Sequence, residues 1–354
     1  VEVTIDPNDP VSVSPFVIND EIVFTVNGMQ QSVVLEAWGQ NANYVPGRFN
    51  RGGGVIFSCD FGEWVWDDPK PYVIHGILVV DSCTLRIPAG RQVHLHGGLV
   101  RVNQGDTLTS FYNDGRLVIG PSGRLVVEGT AEEPVVFQGD RLEPAFENVP
   151  GQWFGIVLAA RSQGHTVRHA VVKNSILGIA VDSAAQLDLR QTEIFNVSSN
   201  ALLGIHSDIQ ADNCLLYNCG GNTVQLTYGG QYRFRYCTLT SYGNQASALR
   251  MDNALCLDAF CADFRLNPLE AVFQNCILYG SQRDEIEMVN LSEQPEDFDY
   301  RLEHCIVRVD DLPTQEDFTD FFDRCDPCRN LSFNEPLFLN ESDNQFGLDT
   351  LSAA

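Results

Sequence analysis

Four side chains in the middle of the sequence have the types needed for acid, base and cation chemistry: Asp182, His206, Arg250 and Asp252. A carboxylate beside an imidazole can divide the work of proton transfer, and a guanidinium can hold a developing anion. They lie on separate stretches of chain, so a repeating element must bring them to one surface. No set of residues at metal-ligand spacing accompanies them, and no cofactor is expected.

Two further groups have chemistry of their own. Trp64, Trp66, Tyr72 and Trp153 offer flat apolar faces of the kind that stack on sugar rings. The competing expectation is that Trp153 fills a turn between Gly151 and Gly155. Tyr228, Tyr232, Tyr236 and Tyr242 are open to the same two readings. The eleven cysteines divide by position. Cys59 with Cys83, and Cys256 with Cys261, are spaced to close loops. Cys325-Asp326-Pro327-Cys328 matches C-x-x-C, which serves as a redox dithiol, half a zinc site or a local disulfide. No second C-x-x-C accompanies it, so the disulfide is the leading reading, and Cys219 is left over.

The element that positions these residues is a repeat. Ala170-Val171-Val172-Lys173-Asn174, Thr192-Glu193-Ile194-Phe195-Asn196, Cys214-Leu215-Leu216-Tyr217-Asn218 and Cys237-Thr238-Leu239 start 22, 22 and 23 residues apart. Cys276-Ile277-Leu278 and Cys305-Ile306-Val307 follow at 39 and 29, one repeat plus an insertion each. Upstream, Val167, Leu189, Ala211, Phe234, Phe273 and Leu302 share a column. Downstream, Ile179/Val181, Leu203/Ile205, Val224/Leu226, Leu249/Met251 and Ile286/Met288 form another. Each repeat therefore holds short strands of period two, separated by Gly, Asn and Ser corners.

A coil of this length with three short strands predicts a single-stranded, right-handed parallel β-helix, all-β, whose rungs stack at ~4.8 Å. Asn174, Asn196 and Asn218 are expected to form a ladder at one corner. Cys214, Cys237, Cys276 and Cys305 are expected to be buried packing residues. Residues 72–158 read as earlier rungs. With Ile179 and its equivalents inward, Ala180, Gly204, Gln225, Arg250 and Glu287 face solvent in one row. Asp182, His206, Thr227, Asp252 and Val289 form the next, with Asp182 and His206 one rung apart at ~5 Å.

The organisation read from the sequence is an N-terminal antiparallel hairpin or β-sandwich remnant over residues 1–45, a linker or entry segment over 46–71, the β-helix over 72–309 and a C-terminal acidic cap over 310–354. The Asn27-Gly28 pair marks the hairpin turn, and Arg51-Gly52-Gly53-Gly54 is the linker. In the cap, Phe318, Phe321 and Phe322 alternate with acidic residues, as in a short amphipathic helix closing the last rung. Ca²⁺ is a conceivable ligand of this acidic C-terminal segment, although no D-x-D-x-D-G loop is present.

The chain carries 47 acidic and 22 basic side chains, a net charge of −25. That excludes nucleic-acid binding through bulk positive charge. Residues 151–280 are nearly balanced with 8 basic and 9 acidic groups, while residues 281–354 carry 5 and 19. The acid is concentrated outside the regular stack, so a basic partner is expected at its ends. No apolar run is long enough to cross a bilayer as a helix.

The sequence resembles the right-handed parallel β-helix, pectate-lyase-like proteins. More narrowly, it resembles a family of Bacteroidota surface or outer-membrane lipoproteins of unassigned activity. The residues that carry this are Val1-Glu2-Val3-Thr4-Ile5-Asp6-Pro7, Glu36-Ala37-Trp38-Gly39-Gln40, Lys70-Pro71-Tyr72-Val73-Ile74, Phe137-Gln138-Gly139-Asp140-Arg141-Leu142, Pro150-Gly151-Gln152-Trp153, Glu335-Pro336-Leu337-Phe338 and Leu351-Ser352. The resemblance implies an exported, cell-envelope protein with a lipid-anchored precursor and a β-sandwich ahead of Val1. The function expected is a non-enzymatic, rigid recognition or assembly surface for an envelope protein complex or a surface glycan. The alternative is a polysaccharide lyase or glycoside hydrolase that acts on an acidic glycan through Asp182, His206, Arg250 and Asp252.

Overall fold

The computed structural model describes residues 16–39, 41–45, 54–104, 108–113, 115–332 and 337–352. Val1–Pro7, Gln40, Arg51-Gly52-Gly53 and Glu335-Pro336 lie outside the described residues. The structure is 53% strand and 6% helix, the strands wound into a parallel β-helix of three faces. A typical coil runs Ile179–Val181 on the first face, Gln186–Arg190 on the second and Glu193–Val197 on the third. The next coil repeats it in Leu202–Asp212, which serves the first two faces, and Leu215–Cys219. No described helix is long and apolar enough to cross a membrane.

Register locks the coils together because every second residue points into the tube. On the first face Leu78, Leu117, Ile156, Ile179, Leu202, Val224, Leu249 and Ile286 stand one above another, each at most 1% exposed. On the second face Val167, Leu189, Ala211, Phe234, Phe273 and Leu302 do the same. The Phe234 and Phe273 rings stack at 5.0 Å. A fully buried aliphatic or aromatic side chain contributes about 1.5–3 kcal/mol, so the columns are the main cohesive element.

Corners set the coil length. Between the second and third faces the chain turns on single residues at positive φ, among them His169, Gln191, Asn213, Tyr236, Asn275 and His304. Cys214, Cys237, Cys276 and Cys305 follow four of these corners directly. Their thiols lie 3.3–3.4 Å from the carbonyls of Asp212, Arg235, Gln274 and Glu303, each of which also accepts a backbone N–H from the neighbouring coil. All four are free and buried, as is Cys219. At the opposite end of the third face Asn174, Asn196 and Asn218 also take positive φ, a conformation that asparagine tolerates better than most residues.

Stacking begins earlier than residue 72. Asn43–Val45, Gly54–Phe57 and Glu63–Val65 already pair in parallel with the coil above them, so part of the expected entry segment belongs to the tube. Ahead of it, Phe16–Val26 and Met29–Gly39 form an antiparallel hairpin around Asn27-Gly28, both at positive φ. Val23, Phe24, Val33 and Val34 there are more than half exposed. Two insertions leave the tube as hairpins, Leu99–Gln104 with Leu108–Asn113 and Ala254–Cys256 with Phe264–Leu266.

The C-terminal segment is not the continuous amphipathic helix that its pattern suggests. It consists of short 3-10 turns at Leu312–Thr314 and Glu316–Phe318 and one α-turn at Phe321–Arg324. Phe318 and Phe321 nevertheless face inward, packing on Phe298 and Tyr300 of the last full coil. Phe322 stays 46% exposed. The chain then adds Cys328–Asn330 to the third face and returns along the outside of that face as a hairpin, Phe338–Asn340 with Gln345–Leu348.

Candidate functional site

The four residues picked out for acid, base and cation chemistry sit on the first face and its outgoing corner, in different states of engagement. Arg250 points outward and pairs with Glu287 one coil on, 2.8 Å away. Asp252 is 8% exposed and accepts hydrogen bonds from the Thr227 hydroxyl at 2.7 Å and the Tyr228 N–H at 2.9 Å. Asp182 accepts the Ser183 N–H at 2.7 Å, capping its own corner. His206 has φ 45° at a break in register between Ile205 and Ser207, its ring tilted against Tyr228 at 5.6 Å. Two of these carboxylates therefore serve turns.

One column differs from the sequence expectation. Ile179 pairs with Leu202 and Val181 with Gly204, so Leu203 and Ile205 face outward rather than inward. The interior opposite Gly204 is filled by the Tyr232 ring, which would lie 3.0 Å from a Cβ at that position. His206 consequently belongs to the corner, and Ile205 occupies the row of Thr227.

Most of the aromatic set is structural. Trp66 and Trp153 are fully buried and Tyr72 is 7% exposed; a ring without an accessible face cannot stack on a sugar. Trp153 donates its indole N–H to the Lys173 carbonyl at 2.9 Å. Trp66 lies against Tyr72 at 4.5 Å, and the half-buried Trp64 stacks on Phe57 at 3.8 Å. The cysteine pairs Cys59–Cys83, Cys256–Cys261 and Cys325–Cys328 are disulfide-bonded. Among the described residues no cluster of three or more His, Cys, Asp or Glu side chains could hold a metal ion.

A concave site lies elsewhere, where the C-terminal hairpin crosses the third face. Outward positions there form a second aromatic column. Phe195 stacks on Tyr217 at 4.8 Å, and Thr240 and Tyr279 continue the row. The hairpin seats Phe346 against Tyr217 at 4.9 Å and Tyr242 at 6.1 Å, and Phe338 against Tyr279. Between hairpin and face a cleft of about 510 Å³ remains open.

Its aromatic wall is Tyr242 and Tyr279, and its polar groups are Asn218, Ser281, Glu341, Ser342 and Asn344. Tyr279 is fixed by donating its hydroxyl to the Ser332 carbonyl at 2.7 Å. Among the described residues the Tyr242 hydroxyl has no hydrogen-bond partner, and burial, reinforced by Glu341, pushes its phenol up from the ordinary range. Gly280 permits the close approach on the floor, because a Cβ there would collide with the Ser241 carbonyl and the Glu285 carboxyl. Arg308 is committed beneath, donating to the Gly280 carbonyl at 2.7 Å. Glu285, accepting the N–H groups of Gln282 and Ala248, is pushed up to about 8 by burial.

Sequence reading singled out Tyr242 but not its neighbours, since the cleft joins segments near residues 218, 242, 280 and 341. A second grouping also escaped it. His96 Nδ1 lies 2.6 Å from Asp140 Oδ2, and the His96 ring stacks on His75 at 4.7 Å. The alternation His94-Leu95-His96 was its only signal, placing both imidazoles on the outside of one strand.

No family model matches the chain, and no curated protein matches it. Three solved structures do. A tailspike protein of Acinetobacter baumannii bacteriophage Fri1, a capsular polysaccharide depolymerase, matches at 10% identity and TM-score 0.34 over 80% of this chain and 53% of its own. The periplasmic alginate epimerase matches at 9% identity and TM-score 0.28 over 72% and 76%. A variant of that epimerase gives 10% identity and TM-score 0.27 over 69% and 71%. The chain thus spans about half the length of the tailspike.

Proposed function

We propose that the protein is an exported, cell-envelope β-helix that binds a neutral, hydroxyl-rich glycan segment in the cleft beneath its C-terminal hairpin. The observation that carries this reading is the lining itself, the part-exposed Tyr242 ring facing amide, hydroxyl and carboxylate groups in a space of about 510 Å³, with the buried Tyr279 held under Phe338 of the hairpin. That size lies within the ordinary range of ligand sites. Aromatic faces take the apolar face of a sugar ring, and side-chain amides and carboxylates bridge its hydroxyls. Among the described residues, Glu341 is the one charged residue in the lining, so an anionic sugar would meet repulsion there. Three disulfides support passage through an oxidising compartment. Lipid anchoring of the precursor is part of the same proposal.

Binding rather than turnover is favoured because Arg250 and Asp252 are already engaged by Glu287, Thr227 and Tyr228. Titration calorimetry against neutral and uronate oligosaccharides tests the reading. Affinity for a neutral oligosaccharide is expected, reduced at least about tenfold in Tyr242→Ala and Glu341→Gln. Binding that neither variant weakens, or a preference for uronates, would overturn it.

A further inference from the structure

The cysteine column has a fifth member. Cys328 pairs in register with Cys305, continuing the row of Cys214, Cys237, Cys276 and Cys305 onto the incomplete last coil. Cys325 bridges to Leu302 on the second face, so the Cys325–Cys328 disulfide spans the same corner that every coil turns between those faces. Register partners on adjacent parallel strands lie ~4.8 Å apart. That is within the roughly 4.4–6.8 Å between Cα atoms over which a disulfide can close. Cys328 thus has two possible partners, one across the corner and one along the column.

We propose that Cys305, Cys325 and Cys328 form a thiol–disulfide exchange site. The Cys305 sulfur attacks Cys328, the Cys305–Cys328 bond forms as the Cys325–Cys328 bond breaks, and the proton lost from Cys305 ends on the Cys325 sulfur. Sulfur oxidation states balance within the chain and no outside oxidant is consumed.

The site is also open to an external thiol. A cleft of about 440 Å³ is lined by Cys276, Cys305, Cys328, Pro327, His304 and Arg329. A small monothiol entering there attacks Cys328 and releases Cys325 as a thiol. Cys305 then displaces the monothiol from the mixed disulfide, forming Cys305–Cys328 and returning the monothiol protonated. The buried Cys305 thiol donates to the Phe273 and Glu303 carbonyls at 3.4 and 3.3 Å, and it gives up that proton in either step. The remaining column, Cys214 and Cys237, lies deeper in the stack and is not required.

The test is peptide mapping of the folded, full chain after incubation with reduced glutathione, with acid quench and alkylation under denaturing conditions. Linked Cys305–Cys328 peptides with an alkylated Cys325 are expected. In a Cys325→Ser background, which removes the return attack on Cys328, adding Cys305→Ser should make the glutathione adduct on Cys328 persist about tenfold longer. In Cys325→Ser treated with oxidised glutathione, Cys305–Cys328 should form. The proposal is overturned if the wild-type chain yields no Cys305–Cys328 linkage, or if adding Cys305→Ser to Cys325→Ser leaves the adduct lifetime unchanged. The wild-type measurement decides the matter even if a variant does not fold, and far-UV circular dichroism identifies that case.

Discussion

Asn196 donates its side-chain amide to Asn174 Oδ1 at 2.5 Å, and Asn218 donates in turn to Asn196 Oδ1 at 3.2 Å. The row begins at the Glu147 carbonyl, which accepts from Asn174 at 2.9 Å. Asn174 and Asn196 each use the oxygen toward one neighbour and the nitrogen toward the other, and Asn218 ends the row. The ladder therefore joins three coils through side chains alone, at a corner where backbone pairing is interrupted.

Asn196→Ala leaves a donor on Asn218 and an acceptor on Asn174 without partners, and puts a Cβ-bearing residue without a polar side chain at φ 57°. A loss of about 2–4 kcal/mol is expected from the unsatisfied, buried Asn174 oxygen and backbone strain together, the exposed Asn218 amide turning to water. The denaturation midpoint measures it. A change below about 0.5 kcal/mol would show that the ladder is incidental.

Cys59–Cys83 joins the first coil to the second across a separation of 24 residues. Replacing both cysteines by serine should lower stability by about 3 kcal/mol in the chain-entropy account. Unfolding of oxidised wild type and the double variant, compared at equal denaturant, reads this directly.

Two tyrosine and tryptophan substitutions should separate binding from stability. Trp153→Phe removes a buried donor to the Lys173 carbonyl, so it is expected to cost about 1–3 kcal/mol of stability and leave glycan affinity in place. Tyr242→Ala, in the wall of the cleft, should abolish most of the affinity while costing some stability, because it also removes the ring that packs on Phe346. If both variants changed only stability, the cleft would not be a recognition site.

Three buried groups set the pH profile. Burial, with a contribution from Arg124, pushes His165 down to about 4, and its Nδ1 accepts the Leu125 N–H at 3.0 Å. Burial likewise pushes His94 down to about 4. A histidine depressed in the fold stabilises fully above its unfolded value of about 6.5 and loses that contribution as pH falls toward 4, on the order of 3 kcal/mol each. Glu285, pushed up to about 8, acts in the other direction. It favours the fold below about 4.5 and loses that contribution as pH rises through 8. These groups together place maximum stability near pH 6.5. Denaturation midpoints from pH 4 to 9 should show both limbs, with Glu285→Gln flattening the alkaline one.

The coil length, the columns and the asparagine ladder were legible because identical residue types recur at a nearly constant interval. Val167 through Leu302 could be aligned by eye, and the register agrees along the whole row. The slip at Leu203 and Ile205 arose because Ala201-Leu202-Leu203-Gly204-Ile205 is apolar in both phases. The deciding fact is the Tyr232 ring opposite Gly204, a long-range contact with no local signature. The cleft was hidden for a related reason. Its wall depends on where Phe338 and Phe346 land after the chain doubles back, and nothing in their spacing names Tyr217, Tyr242 or Tyr279 as hosts.

Stacked coils hold one another only through nearest neighbours, and such arrays fray from their free ends. Here Cys59–Cys83 ties the opening pair of coils, while Cys325–Cys328 and the Phe318 and Phe321 rings secure the closing one. A covalent tie between coils thus stands at the opening end and an aromatic cover at the closing one, where Cys325–Cys328 fixes a corner within the last coil. Heat or load then has no open end to work from, and the middle coils must give way collectively rather than peel one at a time.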